Sequence, residues 1–421
     1  MLFALRLAVL IGALLLSPRV ADAQQGLRVF ILSANYRSTA NVEARLSEVA
    51  AEAELHDSRL SLGPTLTAAA RYTFNEPTAE LEMGGENIVI SPVHQLDGSV
   101  GLRIPLVDSQ SWAQIAGADA NLNASRAARD ESRAQVAEEV SRLWFSLVGQ
   151  RAIRRAAFGS LEVAREDLRF SEVRAEAGLV SELDVVRSRA EVARTEGTLA
   201  TARLNERLIQ RDLEALARCG VEDVLVQLDV EPLEERVLAY WLRDVDRLAS
   251  VRQAEFALDA TEDKQTTERR RLLPRLDGVA EIRATNAAGF GQPVSARLGV
   301  ELNWQVDLGM IANARRSSPE VELARARLED ARQNAATGII DAYERTLAYR
   351  VLARTASAVE AQFTLALDVA RARYRAGTGQ QLDVLQALHD LQNAVVGRIR
   401  ARADLGFAQY TLRLRSGRVL P

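Results

Sequence analysis

One cysteine, Cys219, and three histidines, His56, His94 and His389, are all that 421 residues offer to thiol or imidazole chemistry. A single cysteine excludes an internal disulfide framework and any multi-cysteine metal site, and the scattered histidines argue against a histidine metal centre. Cys219-Gly220 reads as a helix end closed by glycine, because no histidine or lysine stands beside the thiol to activate it. His389 reads as a solvated or interfacial side chain. Lysine is nearly missing: Lys264 is the only one, so every other cation is arginine. With 53 cations against 57 acids and a net charge of −4, no global field draws nucleic acid. After residue 23 no run reaches 18 apolar residues, so no membrane helix is expected there. No serine, carboxylate pair or metal cluster assembles into a catalytic constellation. Gly289-Phe290-Gly291 lies between two strand patterns, without the following helix that a phosphate cradle needs. The composition points to a protein that is not an enzyme and carries no cofactor. Proline is the most informative scarcity. Of ten prolines, none falls between Pro105 and Pro232 or between Pro319 and Pro421, and gaps of that length leave room for very long helices.

Residues 1–23 read as a cleaved signal peptide. Arg6 supplies the positive end, residues 7–16 an apolar run, and Ala21-Asp22-Ala23 the small residues of a cleavage site before Gln24. Ten apolar residues are about half of what a spanning helix requires. The mature chain is therefore expected outside the inner membrane.

Length alone suggests two or three domains, but an internal repeat replaces that reading. Ala177-Gly178 and Leu183-Asp184-Val185 recur 199 residues later as Ala376-Gly377 and Leu382-Asp383-Val384. The same offset relates Val107-Asp108 to Val306-Asp307, Trp144 to Tyr343 and Arg151 to Arg350. Upstream, Pro64 answers Pro274 at an offset of 210, so the first half is longer before its long helix. Each half reads as a short helix, a proline, two strands, a very long helix, a glycine turn and a long returning helix. The first repeat is 24–219, with strands at 64–74 and 98–107 and a helical hairpin at 109–218. The second is 220–421, with a helix at 235–273, strands at 275–284 and 295–305 and a hairpin at 313–416. Val136, Val140, Leu143, Leu147 and Val148 supply the apolar stripe of the first long helix. A helix over 109–176 would be roughly 100 Å long. Ser318-Pro319-Glu320 reads as the start of its counterpart in the second half, and the short glycine turns make each helix pair antiparallel.

The four strands alternate with period two. Leu66, Ala68, Ala70, Tyr72 and Phe74 oppose Thr65, Thr67, Arg71 and Thr73. Val100, Leu102, Ile104 and Leu106 oppose Ser99, Gly101 and Arg103. Leu276, Ala280 and Ile282 oppose Arg275, Asp277, Glu281 and Arg283. Ala296, Leu298, Val300, Leu302 and Trp304 oppose Ser295, Arg297, Glu301, Asn303 and Gln305. Two soluble hairpins leave the charge on every opposite face unexplained, whereas a barrel with lipid outside and water inside requires it. Four strands cannot close a barrel, and an open edge does not survive in hydrocarbon. Several copies must therefore share one barrel. Arg269-Arg270-Arg271, just before Pro274, reads as helix-end and lipid-headgroup electrostatics.

With this duplicated strand–strand–hairpin plan and its two turns, the sequence resembles the TolC-like outer-membrane efflux (channel-tunnel) proteins over essentially the whole mature chain. The turns are Ala177-Gly178-Leu179-Val180-Ser181 through Asp184 and Ala376-Gly377-Thr378 through Asp383. Both carry alanine where valine is frequent in the family. The resemblance implies a mostly α-helical chain with a small membrane β part, and a homotrimer sharing a 12-stranded barrel and a helical tunnel. It implies the outer membrane of a Gram-negative bacterium, with lipid around the barrel and a long periplasmic part. It further implies docking of a periplasmic adaptor (membrane fusion) protein at Ala177, Gly178, Leu179, Ala376, Gly377 and Thr378, coupled to an inner-membrane RND, ABC or similar transporter. Asp383 matches an entrance acid, with Gln386 at the next inward place. Asp184 and Tyr374 stand where neighbouring hairpins can be linked, while Gly379 replaces a basic partner. Asp184 and Asp383 also read as helix caps. The implied function is passive conduction in tripartite efflux or type I secretion; the alternative is a non-conducting scaffold on the same plan.

Overall fold

The computed structural model describes residues 22–77, 79–83, 86–220, 236–287 and 292–418. The signal-peptide segment through residue 21 and the Gly289-Phe290-Gly291 turn lie outside these residues. Two helices, α1 (Asp22–Arg37) and α2 (Thr39–Leu60), precede the first strand. One short helix is expected there; the chain instead makes two, bent at the buried Ser38, whose hydroxyl accepts from Asn41 N at 3.4 Å. Strands β1 (Thr65–Phe74), β2 (Ala79–Met83), β3 (Glu86–Ser91) and β4 (His94–Val107) follow. Then come the long hairpin of α3 (Ser109–Glu176) and α4 (Glu182–Ala217), and a short α5 (Leu238–Leu242). The second half continues with α6 (Ala249–Arg270), β5 (Arg275–Thr285), β6 (Val294–Asn303), α7 (Leu308–Arg375) and α8 (Gln381–Arg415). Both long helices, α3 and α7, have 68 residues.

Three elements differ from the sequence expectation. The longer connection in the first half folds as the β2–β3 hairpin, a separate two-stranded sheet. Its signal is Gly84-Gly85 followed closely by the β-branched run Ile88-Val89-Ile90. The expected helix over 235–273 is α5, a 3₁₀ turn at Val245–Arg247 and α6. Helix α7 starts before Ser318, because Asp307 caps it by accepting from Met310 N at 2.8 Å. Asp108 caps α3 in the same way, accepting from Ser111 N at 3.0 Å. Pro319 therefore sits inside the helix and deprives the Arg315 carbonyl of its usual donor.

Compactness does not follow the repeat. One unit comprises Met1–Arg45, Arg129–Ala249 and Arg332–Pro421; the other comprises Leu46–Ala128 and Ser250–Ala331. In the first unit, the expected stripe Val136, Val140, Leu143, Leu147 and Val148 is buried with Leu27, Phe30 and Ile31 of α1 and Leu213 of α4. Helix α1 also closes the end of α4: Ser33 Oγ donates to Ala217 O at 2.7 Å and an Arg37 nitrogen to Arg218 O at 3.0 Å. These are carbonyls that a helix end leaves without internal donors. Nearer the tips, Ile153, Ala157 and Leu161 pack with Leu199, Ala202 and Ile399.

In the second unit, the four long strands form one antiparallel sheet in the order β1-β4-β5-β6. The β4–β5 pair joins the two repeats, and β1 and β6 are its edges. The register sets Leu66, Leu102, Ala280 and Leu298 in one row, and Ala68, Val100, Ile282 and Ala296 in the next. This apolar face is exposed, with Leu298 at 88% and Leu302 at 65%. Tyr72 and Phe74 stand at one end of it and Trp304 at the other. The opposite face carries ion pairs. Asp277, whose side chain is 1% exposed, pairs with Arg275 at 2.8 Å and Arg103 at 3.6 Å. Arg103 also reaches Glu301 at 3.8 Å, Arg275 reaches Asp108 at 3.6 Å, and Asp97 holds Arg283 at 3.2 Å. The alternation thus separates a hydrocarbon-like face from a cross-strand charge network.

Removing the buried Asp277 breaks two charge-assisted contacts at once, although Arg103 and Arg275 keep Glu301 and Asp108 as partners. Asp277→Ala is expected to cost about 2 kcal/mol, read as an earlier guanidinium unfolding midpoint of the protein in detergent. Asp97→Ala, on a more accessible pair, is expected to shift that midpoint much less than Asp277→Ala does.

Candidate functional site at the hairpin tips

The two tips are built alike by residue chemistry. Gly178 and Gly377 adopt φ of +70° and +74°, a region an L side chain enters only with strain. The left-handed residue lets the chain reverse while the last helical carbonyls find donors. Leu179 N donates to Arg174 O at 2.9 Å, and Thr378 N to Arg373 O at 3.0 Å. The flanking Ala177, Leu179, Ala376 and Thr378 are exposed. An apolar strip runs from the first tip into α4 through Leu179, Leu183 and Val186, each more than half exposed.

The returning helices are capped by the two tip aspartates. Asp184 Oδ2 accepts from Ser181 N at 3.3 Å and from Ser181 Oγ at 3.0 Å, while Asp184 N donates to Ser181 Oγ at 3.3 Å. This reciprocal box satisfies amides that the helix start leaves open. Asp383 Oδ2 accepts from Gln380 N at 3.3 Å. Asp383 remains exposed, and Gln386 is exposed on the same face, donating to Asp390 at 3.2 Å. Asp390 lies seven residues beyond Asp383, so one helical face carries acid, amide and acid. Sequence alone points to Asp383 and Gln386 but not to Asp390, for which the three- and four-residue spacing is the available signal.

Tyr374 faces the other hairpin of its own chain. The Arg174 guanidinium lies 5.3 Å from its ring centre and 5.5 Å from that of Phe170. Burial pushes the Tyr374 hydroxyl up, and Arg174 offsets part of the rise. Beside it is a polar cluster that sequence alone does not single out. Gln381 Nε2 donates to Ser188 Oγ at 2.6 Å, and Ser188 lies 3.1 Å from Ser171 Oγ. All three residues are buried, which links α3, α4 and α8 near the tips. Arg371 of α7 adds an ion pair to Asp167 of α3 at 3.6 Å. Asp184 and Tyr374 thus neighbour each other electrostatically, while Asp383 and Gln386 belong to a separate exposed face. Among the described residues, no group of three or more histidines, cysteines or acids could hold a metal ion, and no helix is long and apolar enough to cross a membrane.

Two measurements check this geometry. Asp184→Ala and Asp383→Ala each remove an N-terminal carboxylate and are expected to cost about 0.5–1 kcal/mol. Loss of amide protection confined to the first turn of α4 or α8 is the readout. Burial raises the Asp167 carboxyl above its ordinary value, with Arg371 offsetting part. A folded-state pKa above the unfolded one means that the folded state around Asp167 is most stable below the unfolded value and loses stability as pH rises through the folded one. Amide protection of the tip helices is expected to increase as pH falls toward the ordinary aspartate value of 3.8, with Asp167→Asn flattening that dependence.

No curated protein matches the chain. Solved structures do. A membrane protein from Pseudomonas aeruginosa superposes with a TM-score of 0.79 at 19% identity, covering 93% of each chain. The outer membrane protein VceC from Vibrio cholerae gives 0.79 at 17% identity, covering 95% of this chain and 99% of the other. The open state of the MtrE outer membrane channel from Neisseria gonorrhoeae gives 0.76 at 18% identity, covering 93% and 89%. These likenesses establish the fold. The family model described as outer membrane efflux protein matches residues 33–217 and 246–418, so that the duplicated strands, hairpins and tips described above belong to a member of the outer membrane efflux protein family.

Proposed function

We propose that three copies of this chain form a channel-tunnel that passively conducts substrates across the outer membrane, fed by a periplasmic adaptor and an inner-membrane RND, ABC or similar pump. The observation that carries the reading is the four-stranded sheet. One face is exposed and apolar, the opposite face is charged, and each edge strand, β1 and β6, has an outer side with no partner strand among the described residues. Lipid matches the first face, water the second, and another copy each edge. Three copies give twelve strands, an even number as in bacterial barrels. Tyr72 and Phe74 at one end and Trp304 at the other suit the two interfacial aromatic girdles.

In this reading the long hairpins extend into the periplasm and their tips receive the adaptor. Ala177, Gly178, Leu179, Ala376, Gly377 and Thr378 offer the exposed turns, and Leu183 and Val186 extend the apolar contact. Asp383, Gln386 and Asp390 supply an acidic face that, repeated in each copy, favours cations at a narrow entrance. Asp184 and Tyr374 hold the first tip and its neighbour helix in place, with Arg174 as the aromatic ring's cationic partner.

Reconstitution in planar bilayers tests the reading. The protein is expected to conduct with a cation preference, and Asp383→Ala/Asp390→Ala is expected to reduce that preference while the oligomer stays intact. A sealed lumen unaltered by the double substitution would instead support a non-conducting scaffold.

A further inference from the structure

Helices α6 and α7 flank a groove of about 820 Å³ lined by Gln265, Thr266, Arg269, Ser318, Val321 and Arg325, among others. The lining positions on α6 recur at helical spacing, and one turn beyond Arg269 that face continues to Leu273, 55% exposed beside the start of β5. On α7, Arg315 stands one turn before Ser318, and Leu308, 84% exposed, lies nearer the sheet. The groove is thus graded. Exposed apolar side chains lie at the sheet end, two arginines next, then an amide and two hydroxyls, and farthest from the sheet Glu262 and Glu322, whose carboxylates Arg325 holds at 3.4 and 2.9 Å.

Most charges here are already satisfied. Lys264 pairs with Glu320 at 2.9 Å, Arg316 with Glu320 at 3.1 Å, Arg325 with Glu322 at 2.9 Å, and Arg271 with Glu268 at 3.4 Å. Arg270 donates to Ser109 O at 3.3 Å. Arg269 and Arg315 have neither an ion pair nor a side-chain hydrogen bond among the described residues, and both are exposed. Gln265 Nε2 donates to Ser318 Oγ at 3.1 Å and ties the two walls together. Trp304, 70% exposed, donates its indole N–H to Leu272 O at 3.1 Å, which fixes an amphipathic ring at the same end.

We infer that this groove binds the phosphodiester of an anionic phospholipid of the periplasmic leaflet. The inference rests on the membrane reading proposed above, which places the sheet end of α6 and α7 at the lipid–water boundary. Unpaired guanidinium forks match phosphate oxygens bidentately. Gln265, Thr266 and Ser318 supply donors to headgroup oxygens, and Leu273, Leu308 and Trp304 continue the surface into hydrocarbon for the acyl chains. The site takes one lipid per chain and anchors the barrel at a fixed depth.

The test uses the assembled oligomer, delipidated in detergent and titrated with phosphatidylglycerol, with phosphatidylcholine, and with glycerol 3-phosphate as the headgroup without chains. Native mass spectrometry counts the bound molecules. Saturable binding of one phosphatidylglycerol per chain is expected, with phosphatidylcholine and glycerol 3-phosphate much weaker. Arg269→Ala/Arg315→Ala is expected to weaken phosphatidylglycerol about 30-fold while the oligomer persists. Equal binding of the two lipids, or binding untouched by the double substitution, overturns the inference. So does glycerol 3-phosphate binding as tightly as the lipid, which marks a soluble-phosphate site. Dissociation of the oligomer on substitution also overturns it, because a neighbouring copy then fills the groove. A protein that purifies as a soluble monomer overturns the membrane reading itself, whereas a membrane oligomer without preference for phosphatidylglycerol overturns only the lipid site.

Discussion

Backbone hydrogen bonding at the sheet edges governs everything else in this chain. Strands β1 and β6 each present a row of N–H and C=O groups along one side with no partner strand among the described residues. In water such a row is a hazard for aggregation; in hydrocarbon each unpaired group costs several kcal/mol. The apolar face of the same sheet makes water the wrong solvent for it, since Leu298, Leu302 and Trp304 would present a large exposed patch. The proposed shared barrel answers both demands, with other copies at the edges and a bilayer against the apolar face. The duplication serves the same constraint: β4 of one repeat pairs with β5 of the other, so each chain delivers four strands already in register.

The charge distribution follows from the two solvents. A net charge of −4 on a chain with 110 charged residues hides a local separation. On the polar face of the sheet, Asp277 is held by Arg103 and Arg275, and Asp97 by Arg283. Such cross-strand pairs keep a water-facing surface from collapsing into a second core. At the tips the same residue types do local work, with Asp184 and Asp383 accepting backbone amides where a helix begins. The cap leaves Asp383 exposed, so the entrance role proposed for it does not compete with capping.

Much of the architecture was legible in the sequence because it depends on periodicity. The period-two runs located the four long strands, and the 199-residue offset placed equivalent turns at Gly178 and Gly377. The stripe from Val136 to Val148 is the buried core of α3. What escaped depends on competing local signals or on tertiary contact. Ser318-Pro319 resembles a helix start, yet Asp307 caps α7 about three turns before Ser318, and its equivalence to Asp108 at the same offset was the better guide. The β2–β3 hairpin was hidden in a polar, glycine-rich connection. Gln381, Ser171 and Ser188 are ordinary polar residues until the fold buries them together, and no spacing rule joins positions so far apart in sequence.

Cross-linking between edge strands reads out whether separate copies close one barrel. In a Cys219→Ser background, Thr67→Cys on β1 is combined in turn with Arg297→Cys, Gly299→Cys and Glu301→Cys on β6. Within one chain β4 and β5 separate these edges by roughly 14 Å, too far for a disulfide, so any bond formed joins two copies. Oxidation of outer-membrane fractions is expected to give, for at least one pair, a closed ladder that ends at three chains. Bands beyond three chains, or monomer alone for every pair in protein shown to be folded, would contradict a shared barrel closed by three copies.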